Sequence, residues 1–189
     1  MTQLLNFLAG HFDLPILDWI LTNLRSGFGD QIMPLITTLG DAGIFWIALT
    51  ALLLCFRKHR KAGIAMALSL VMGLILCNLT LKPLIARIRP YEYQLEHFGT
   101  TIHLLVSAPH DYSFPSGHTA ASFEAATALF LYNRKLGIPA LILASLIAFS
   151  RLYLYVHYPT DVLFSVALGI GLAFLARNLT ERVYRLRNS

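Results

Sequence analysis

Four long apolar stretches separated by short polar ones dominate the chain, at about residues 62–81, 116–132, 138–156 and 161–177. Each approaches the length of about 20 residues that crosses a bilayer as a helix. A fifth is less regular. Its apolar core, 43–56, is short for a span, so part of the preceding segment 34–42 must share the membrane with it. Residues 1–33 are more polar and amphipathic. Within them, Leu14–Leu24 alternates apolar and polar groups at helical spacing, and Trp19 suits an interface. This segment is expected to lie along the bilayer surface, with a sixth, tilted span as the alternative. The pattern predicts an all-α, polytopic transmembrane helix bundle of five spans plus this N-terminal amphipathic helix. It forms a single membrane-embedded domain over residues 1–189, with a long connection at 82–115. The first residues lack the basic start and cleavage pattern of a signal peptide, so the chain is read as mature from its beginning.

Composition sharpens this picture. Of the 189 residues, 56% are hydrophobic and only 13% charged, which sets the chain apart from soluble domains. The formal net charge of +5 does not mark a nucleic-acid binder, because the basic residues fall between apolar segments and not along one soluble face. They orient the bundle instead. Arg57, Lys58, Arg60 and Lys61 follow one span, Arg134 and Lys135 another, and Arg177, Arg182, Arg185 and Arg187 the last. The positive-inside rule makes all three ends cytoplasmic and turns 82–115 and 157–160 outward. Cys55 and Cys77 sit inside apolar runs at opposite ends of neighbouring spans, so neither a disulfide nor a metal site is expected.

The outward connections carry residues that run against the charge bias. Lys82, Arg87 and Arg89 are basic where basic residues are disfavoured, which calls for something anionic nearby. Lys82 and Arg89 are two helical turns apart and share a side if the helix continues, and Pro90 ends it. Arg87 lies off that side and reads as a headgroup contact or a solvated charge. Pro115, Ser116, Gly117 and His118 open the next apolar run, so Ser116 and Gly117 fall at a helix N-terminus, where free backbone N–H groups bind phosphate. Arg151 lies inside an apolar run, where an unpaired charge costs several kcal/mol, so it needs an anionic partner. His157 and Asp161 are four apart across Pro159, which predicts a short turn with Asp161 in the first turn of the last helix. A carboxylate there can orient one imidazole nitrogen and leave the other free to act. Cations, a helix N-terminus, two histidines and an aspartate suit phosphoryl transfer. Which histidine is the nucleophile stays open. No carboxylate cluster of the kind that holds magnesium is present, and no cofactor is expected.

The motifs Lys-x6-Arg-Pro, Pro-Ser-Gly-His and Ser-Arg-x5-His-x3-Asp, over residues 82–161, resemble the type 2 phosphatidic acid phosphatase family of membrane lipid phosphatases. The resemblance implies that His157 attacks phosphorus to form a phosphohistidine, Asp161 orients it and His118 protonates the leaving oxygen. It also implies that Lys82, Arg89, Ser116, Gly117 and Arg151 hold the phosphate oxygens. The same fold family includes soluble vanadate-dependent haloperoxidases, which the membrane spans here argue against. The implied substrate is a lipid phosphate reached from the outer face of a bacterial cytoplasmic membrane. Undecaprenyl diphosphate comes first by family analogy, with phosphatidylglycerol phosphate or phosphatidic acid as alternatives. A protein that only binds or flips lipid phosphates is the competing class, although binding alone needs no nucleophile, orienter and proton donor. The segment 91–114, with Tyr91, Glu92, Tyr93, Glu96, His97, His103, His110 and Asp111, is expected to read the headgroup, and composition ranks none of them. Glu124 is expected to hydrogen-bond a neighbouring helix, and Ser165 and Gly169 to allow close helix packing within one chain or between two. The oligomeric state is not readable.

Overall fold

The structure is a computed structural model that describes Leu5 and residues 7–188, so residues 1–4 and 6 of the N-terminal amphipathic segment lie outside the described residues. Every element is helical. After a wide helical turn at Ala9–Asp13 come α1 (Leu14–Asn23), α2 (Gly27–Thr38) and α3 (Ile44–Cys55). The next helix, α4 (Arg60–Gly73), runs on through a π-helical stretch at Leu74–Leu81 to a last turn at Lys82–Ile85. The remaining helices are α5 (Pro90–Phe98), α6 (Gly117–Tyr132), α7 (Arg134–Tyr153) and α8 (Pro159–Asn188). The starts follow capping rules. Ser26 accepts a hydrogen bond from the Gly29 N–H at the head of α2, and Asn133 accepts one from the Leu136 N–H at the head of α7. Pro90 and Pro159 open α5 and α8, where a missing N–H costs nothing.

Among the described residues, three helical runs are long and apolar enough to cross a membrane: Arg60–Phe98, Arg134–Tyr153 and Pro159–Leu186. A fourth arises if α2 and α3, bent by 42° around Asp41–Gly43, count as one broken span. These runs confirm the helical membrane bundle but not the expected number of five. The remaining stretch, α6, has only 16 residues, about 24 Å of helix. It is the central helix, wrapped by α4, α7 and α8. The expected N-terminal helix, Leu14–Asn23, continues the helical turn at Ala9–Asp13 and is not among the runs long and apolar enough to cross a membrane. Its Leu14 and Leu17 pack on Tyr155 and Tyr158, while Trp19 is exposed.

Large apolar side chains such as Phe28, Leu35, Ile44, Ile75 and Leu163 point outward, and the interior holds many small or polar ones, including Ala125, Ala126, Ala144, Ala173, Ser69 and Ser122, around a few large ones such as Trp46, Met66 and Ile147. This is the packing of helices in lipid, where small residues let backbones approach. Gly169 shows why. A Cβ there would stand 2.9 Å from the Ala120 carbonyl oxygen, so α8 can lie this close to α6 only with glycine at the crossing. Four residues earlier, the Ser165 hydroxyl accepts a hydrogen bond from the Ser116 N–H at 2.9 Å. The small pair at Ser165 and Gly169 thus packs within one chain.

Candidate active site

The site forms where α4 ends, α6 begins and α7 turns into α8. Ala86 takes the left-handed conformation (φ 48°) and stops the helix after Ile85, so Arg87 and Arg89 lie on non-helical backbone. The expectation that Lys82 and Arg89 share one helical side therefore fails, yet both still reach the same cavity. Arg89 precedes α5, its N–H bound by the Glu92 carboxylate at 3.0 Å. Its buried guanidinium donates to the Val156 carbonyl (2.6 Å) and the Asp111 carbonyl (2.8 Å), and pairs with the Asp111 carboxylate. Lys82 donates to the other oxygen of that carboxylate.

Arg87 is neither solvated nor at the headgroups. It is 6% exposed, lies 3.7 Å over the Tyr158 ring, and pairs with Asp13 at 2.7 Å and with Asp161 at 2.5 Å. Once the helix ends at Ile85, its side is no longer set by helical spacing from Lys82, and it turns into the protein. Asp13 went unnoticed in the sequence. Its carboxylate also accepts from the Thr160 N–H (2.9 Å) and hydroxyl (2.7 Å). A single aspartate in an amphipathic segment carries no signal of burial; only its place beside Arg87 in space does.

His157 sits on the connection Leu154–Tyr158 and is 1% exposed. Its Nδ1 faces the Asp161 carboxylate at 3.5 Å without a hydrogen bond to it, and its Nε2 lies 3.3 Å from the Arg89 guanidinium. The nitrogen that meets the cations is therefore the one turned away from Asp161. Burial, followed by the nearby charges of Arg89, Arg151, Lys82 and His118, holds the imidazole well below its ordinary pKa, so it is neutral at pH 7. Asp161, in the first turn of α8 as expected, is fixed by the Ser113 hydroxyl (2.5 Å) and the Tyr158 N–H (3.0 Å) as well as by Arg87.

Arg151 departs from expectation in an informative way. It is 4% exposed and donates to the Thr37 hydroxyl at 2.6 Å, but among the described residues no carboxylate pairs with it and its Nε has no partner. This buried cation lines the same cavity as Lys82, Arg89, Gly117, His118 and His157, a space of about 1350 Å³. Ser116 does not line it. Its N–H is taken by Ser165 and its hydroxyl meets Thr119 at 3.0 Å, so it braces the helix start from behind. Asp161 likewise stands behind His157. His118, on the first turn of α6, meets the Asp41 carboxylate through Nε2 at 2.8 Å. Asp41 lies at the bend between α2 and α3, and its pairing with a residue 77 positions away has no signature in sequence.

Glu124 is buried against α4. A Cβ at Gly73 would collide with its carboxyl, and its Oε1 has no hydrogen-bond partner, so the expected bond to a neighbouring helix is not made by that oxygen. It lines the cavity with His118, although the two are six residues apart on α6. The cavity continues between α3 and α4 along Ile47, Leu70, Val71 and Leu74. Among the described residues no group of three or more His, Cys, Asp or Glu is placed to hold a metal ion.

A helical bundle that presents buried cations and an oriented histidine at one end of an apolar cavity matches a known class. The PAP2 superfamily pattern covers residues 62–185, and the chain belongs to this family. It is similar to the undecaprenyl-diphosphatase of Sulfolobus acidocaldarius, 38% identical over 132 residues, 69% of this chain and 61% of that protein's own length. It is also similar to the undecaprenyl-diphosphatase BcrC of Bacillus subtilis, 33% identical over 77% of this chain and 72% of the relative. Among solved structures, the transmembrane PAP2-type phosphatidylglycerolphosphate phosphatase of Bacillus subtilis superposes with a TM-score of 0.68 at 28% identity, covering 89% of this chain and 84% of its own. The family expected from the three motifs is thus the family found. These relatives are phosphatases, and the chain stands with them as a membrane protein.

Proposed function

We propose that this protein is an integral membrane lipid phosphatase that works through a phosphohistidine, with its site at the extracytoplasmic face of a cytoplasmic membrane. One observation carries the reading: His157 is buried and neutral, with Nδ1 toward Asp161 and Nε2 toward the cations of the cavity. A phosphoryl group held by Lys82, Arg89 and Arg151, with the free N–H groups at Gly117 and His118, would present phosphorus to Nε2. Attack forms the N–P bond and breaks the P–O bond to the lipid, whose oxygen takes a proton from His118, itself steadied by Asp41. Asp161 holds the proton on Nδ1 and stabilises the positive ring that develops. Water then attacks phosphorus, giving its proton to His118 and releasing phosphate and neutral His157. The apolar branch between α3 and α4 receives the lipid tail.

Undecaprenyl diphosphate, converted to undecaprenyl phosphate, is the first substrate, in line with the two relatives named for that activity. Phosphatidylglycerol phosphate is the second reading, favoured by the structural match that covers 89% of the chain. The test is phosphate release by the purified protein in detergent with EDTA, comparing these two lipids and phosphatidic acid. We expect one lipid to turn over well above the others. His157→Ala should lower turnover by about 10³-fold or more, with no phosphohistidine trapped by acid-free quenching. An active His157→Ala variant would remove the proposed nucleophile.

A further inference from the structure

The carboxylate of Asp111 does something the reaction does not require. One of its oxygens engages Lys82 and the other Arg89, and its backbone carbonyl accepts from Arg89 Nε at 2.8 Å. Two oxygens of one anion bridging these two cations is the contact a phosphoryl group would make. Arg89 is also the residue beside His157 Nε2, so whatever sits on Arg89 stands next to that nitrogen. Both neighbouring cations and the carboxylate line one cavity.

We propose that Asp111 is a specificity-determining residue: it occupies the anion site as a tethered stand-in for phosphate, which a phosphate monoester or diphosphate displaces and a phosphodiester lipid does not. The inference rests on the phosphate-binding role of this cavity proposed above.

Asp111 is built to leave and return. It lies on the non-helical segment 99–115, and its side chain is 55% exposed, unlike the buried carboxylates of Asp13 and Asp161. The backbone around it is pinned on both sides. The Tyr91 hydroxyl donates to the Pro109 carbonyl at 2.9 Å, and the Ser113 N–H donates to the Arg87 carbonyl at 2.8 Å. The carboxylate can therefore rotate off the cations without unseating the segment, and it stays at high local concentration when displaced. Its pairing with Lys82 and Arg89 outweighs the effect of burial and holds its pKa at about 2, so it is a full anion at pH 7.

Charge then decides what displaces it. A phosphodiester brings one negative charge shared by two oxygens, the same as the tethered carboxylate, and must also overcome its local concentration. A monoester near pH 7 brings about −1.5 to −2 and a third oxygen. That third oxygen can reach Arg151, the cation that Asp111 leaves without a carboxylate partner. Bilayer phosphodiesters surround such a site in excess, so a carboxylate that keeps them off the cations protects it from occupation by lipids it cannot process.

The test uses the full-length protein in detergent and reads binding, not turnover. Thermal stabilisation by inorganic phosphate gives an apparent Kd for the wild type, Asp111→Asn, Asp111→Ala and Asp111→Glu. Soluble dihexanoyl phosphatidylglycerol is then added as the phosphodiester competitor. We expect both neutral variants to bind phosphate roughly tenfold more tightly, and phosphatidylglycerol to compete with phosphate only in them. Asp111→Glu should behave as the wild type, which guards against an effect of the segment's folding. Phosphate binding that is unchanged or weaker in both neutral variants overturns the proposal, since Asp111 would then merely position the cations. So does competition by phosphatidylglycerol in the wild type. Absence of turnover on every lipid would sink the phosphatase reading while leaving this binding comparison intact.

Discussion

Arg87 and Arg89 are two residues apart on the same non-helical backbone, both almost fully buried, and they sit in opposite electrostatic situations. On one side of His157, Arg87 is enclosed by two carboxylates, Asp13 and Asp161, with the Tyr158 ring against it. On the other side, Lys82 and Arg89 share the single carboxylate of Asp111, and Arg151 has only the Thr37 hydroxyl. The first cluster has its charge compensated inside the protein; the second keeps a surplus of cation facing a cavity. A compensated buried cation secures a fold, whereas an uncompensated one is retained for a ligand. His157 lies on the boundary, oriented from the first cluster and acting toward the second.

The contrast can be broken from either side. The largest expected effect is on stability: Arg87→Met strips Asp13 and Asp161 of their shared cation and should cost about 3–5 kcal/mol in unfolding of the purified protein. Equal stability of this variant and the wild type would erase the distinction between the clusters. Next, Arg151→Met should lower kcat/KM by roughly 10²–10³-fold and abolish stabilisation by phosphate. Its own unfolding free energy should fall by less than about 1 kcal/mol, because no carboxylate is left unpaired. A loss of stability as large as that of Arg87→Met would count against the ligand role. The smallest effect concerns pH. The carboxyl of Asp111 has its folded pKa at about 2, below its ordinary value of 3.8. Its stabilising contribution is therefore complete above pH 4 and is lost as pH falls from there through about 2. Acid melting curves of Asp111→Asn should be flatter than wild type over that window and parallel to it above.

How much of this was legible depended on whether the information was local. The helix start after Ser116, the opening of α8 at Pro159 and Asp161 in its first turn follow from short-range rules. His118, His157, Lys82, Gly117 and Arg151 are brought to one cavity, and their spacing in three motifs had suggested a common purpose. What spacing could not show was direction. Arg87 was assigned outward because a continuing helix was assumed, and a left-handed Ala86 cancels that geometry. Ser116 belongs to the motif yet turns away from the cavity toward Ser165. Asp13 and Asp41 could not be found at all. Each is one carboxylate in an unremarkable segment, and its meaning comes from a partner 74 residues away for Asp13 with Arg87, and 77 away for Asp41 with His118. The number of spans is matched only in part, for another reason. The central α6 is shorter than the other spans, and its neighbours, not lipid, cover most of it.

The distribution of large side chains on the outside and small ones within has a thermodynamic consequence. In a water-soluble domain, unfolding exposes the core to water, and the hydration of that newly bared surface gives the large positive heat-capacity change of melting. Here Phe28, Leu35, Ile75 and Leu163 already face outward, and helices that separate within lipid would exchange alanine and serine contacts for hydrocarbon. Little apolar area moves between oil and water in that step. The stability curve of the bundle in its membrane is accordingly flat with temperature, set by contact and hydrogen bonding more than by hydration.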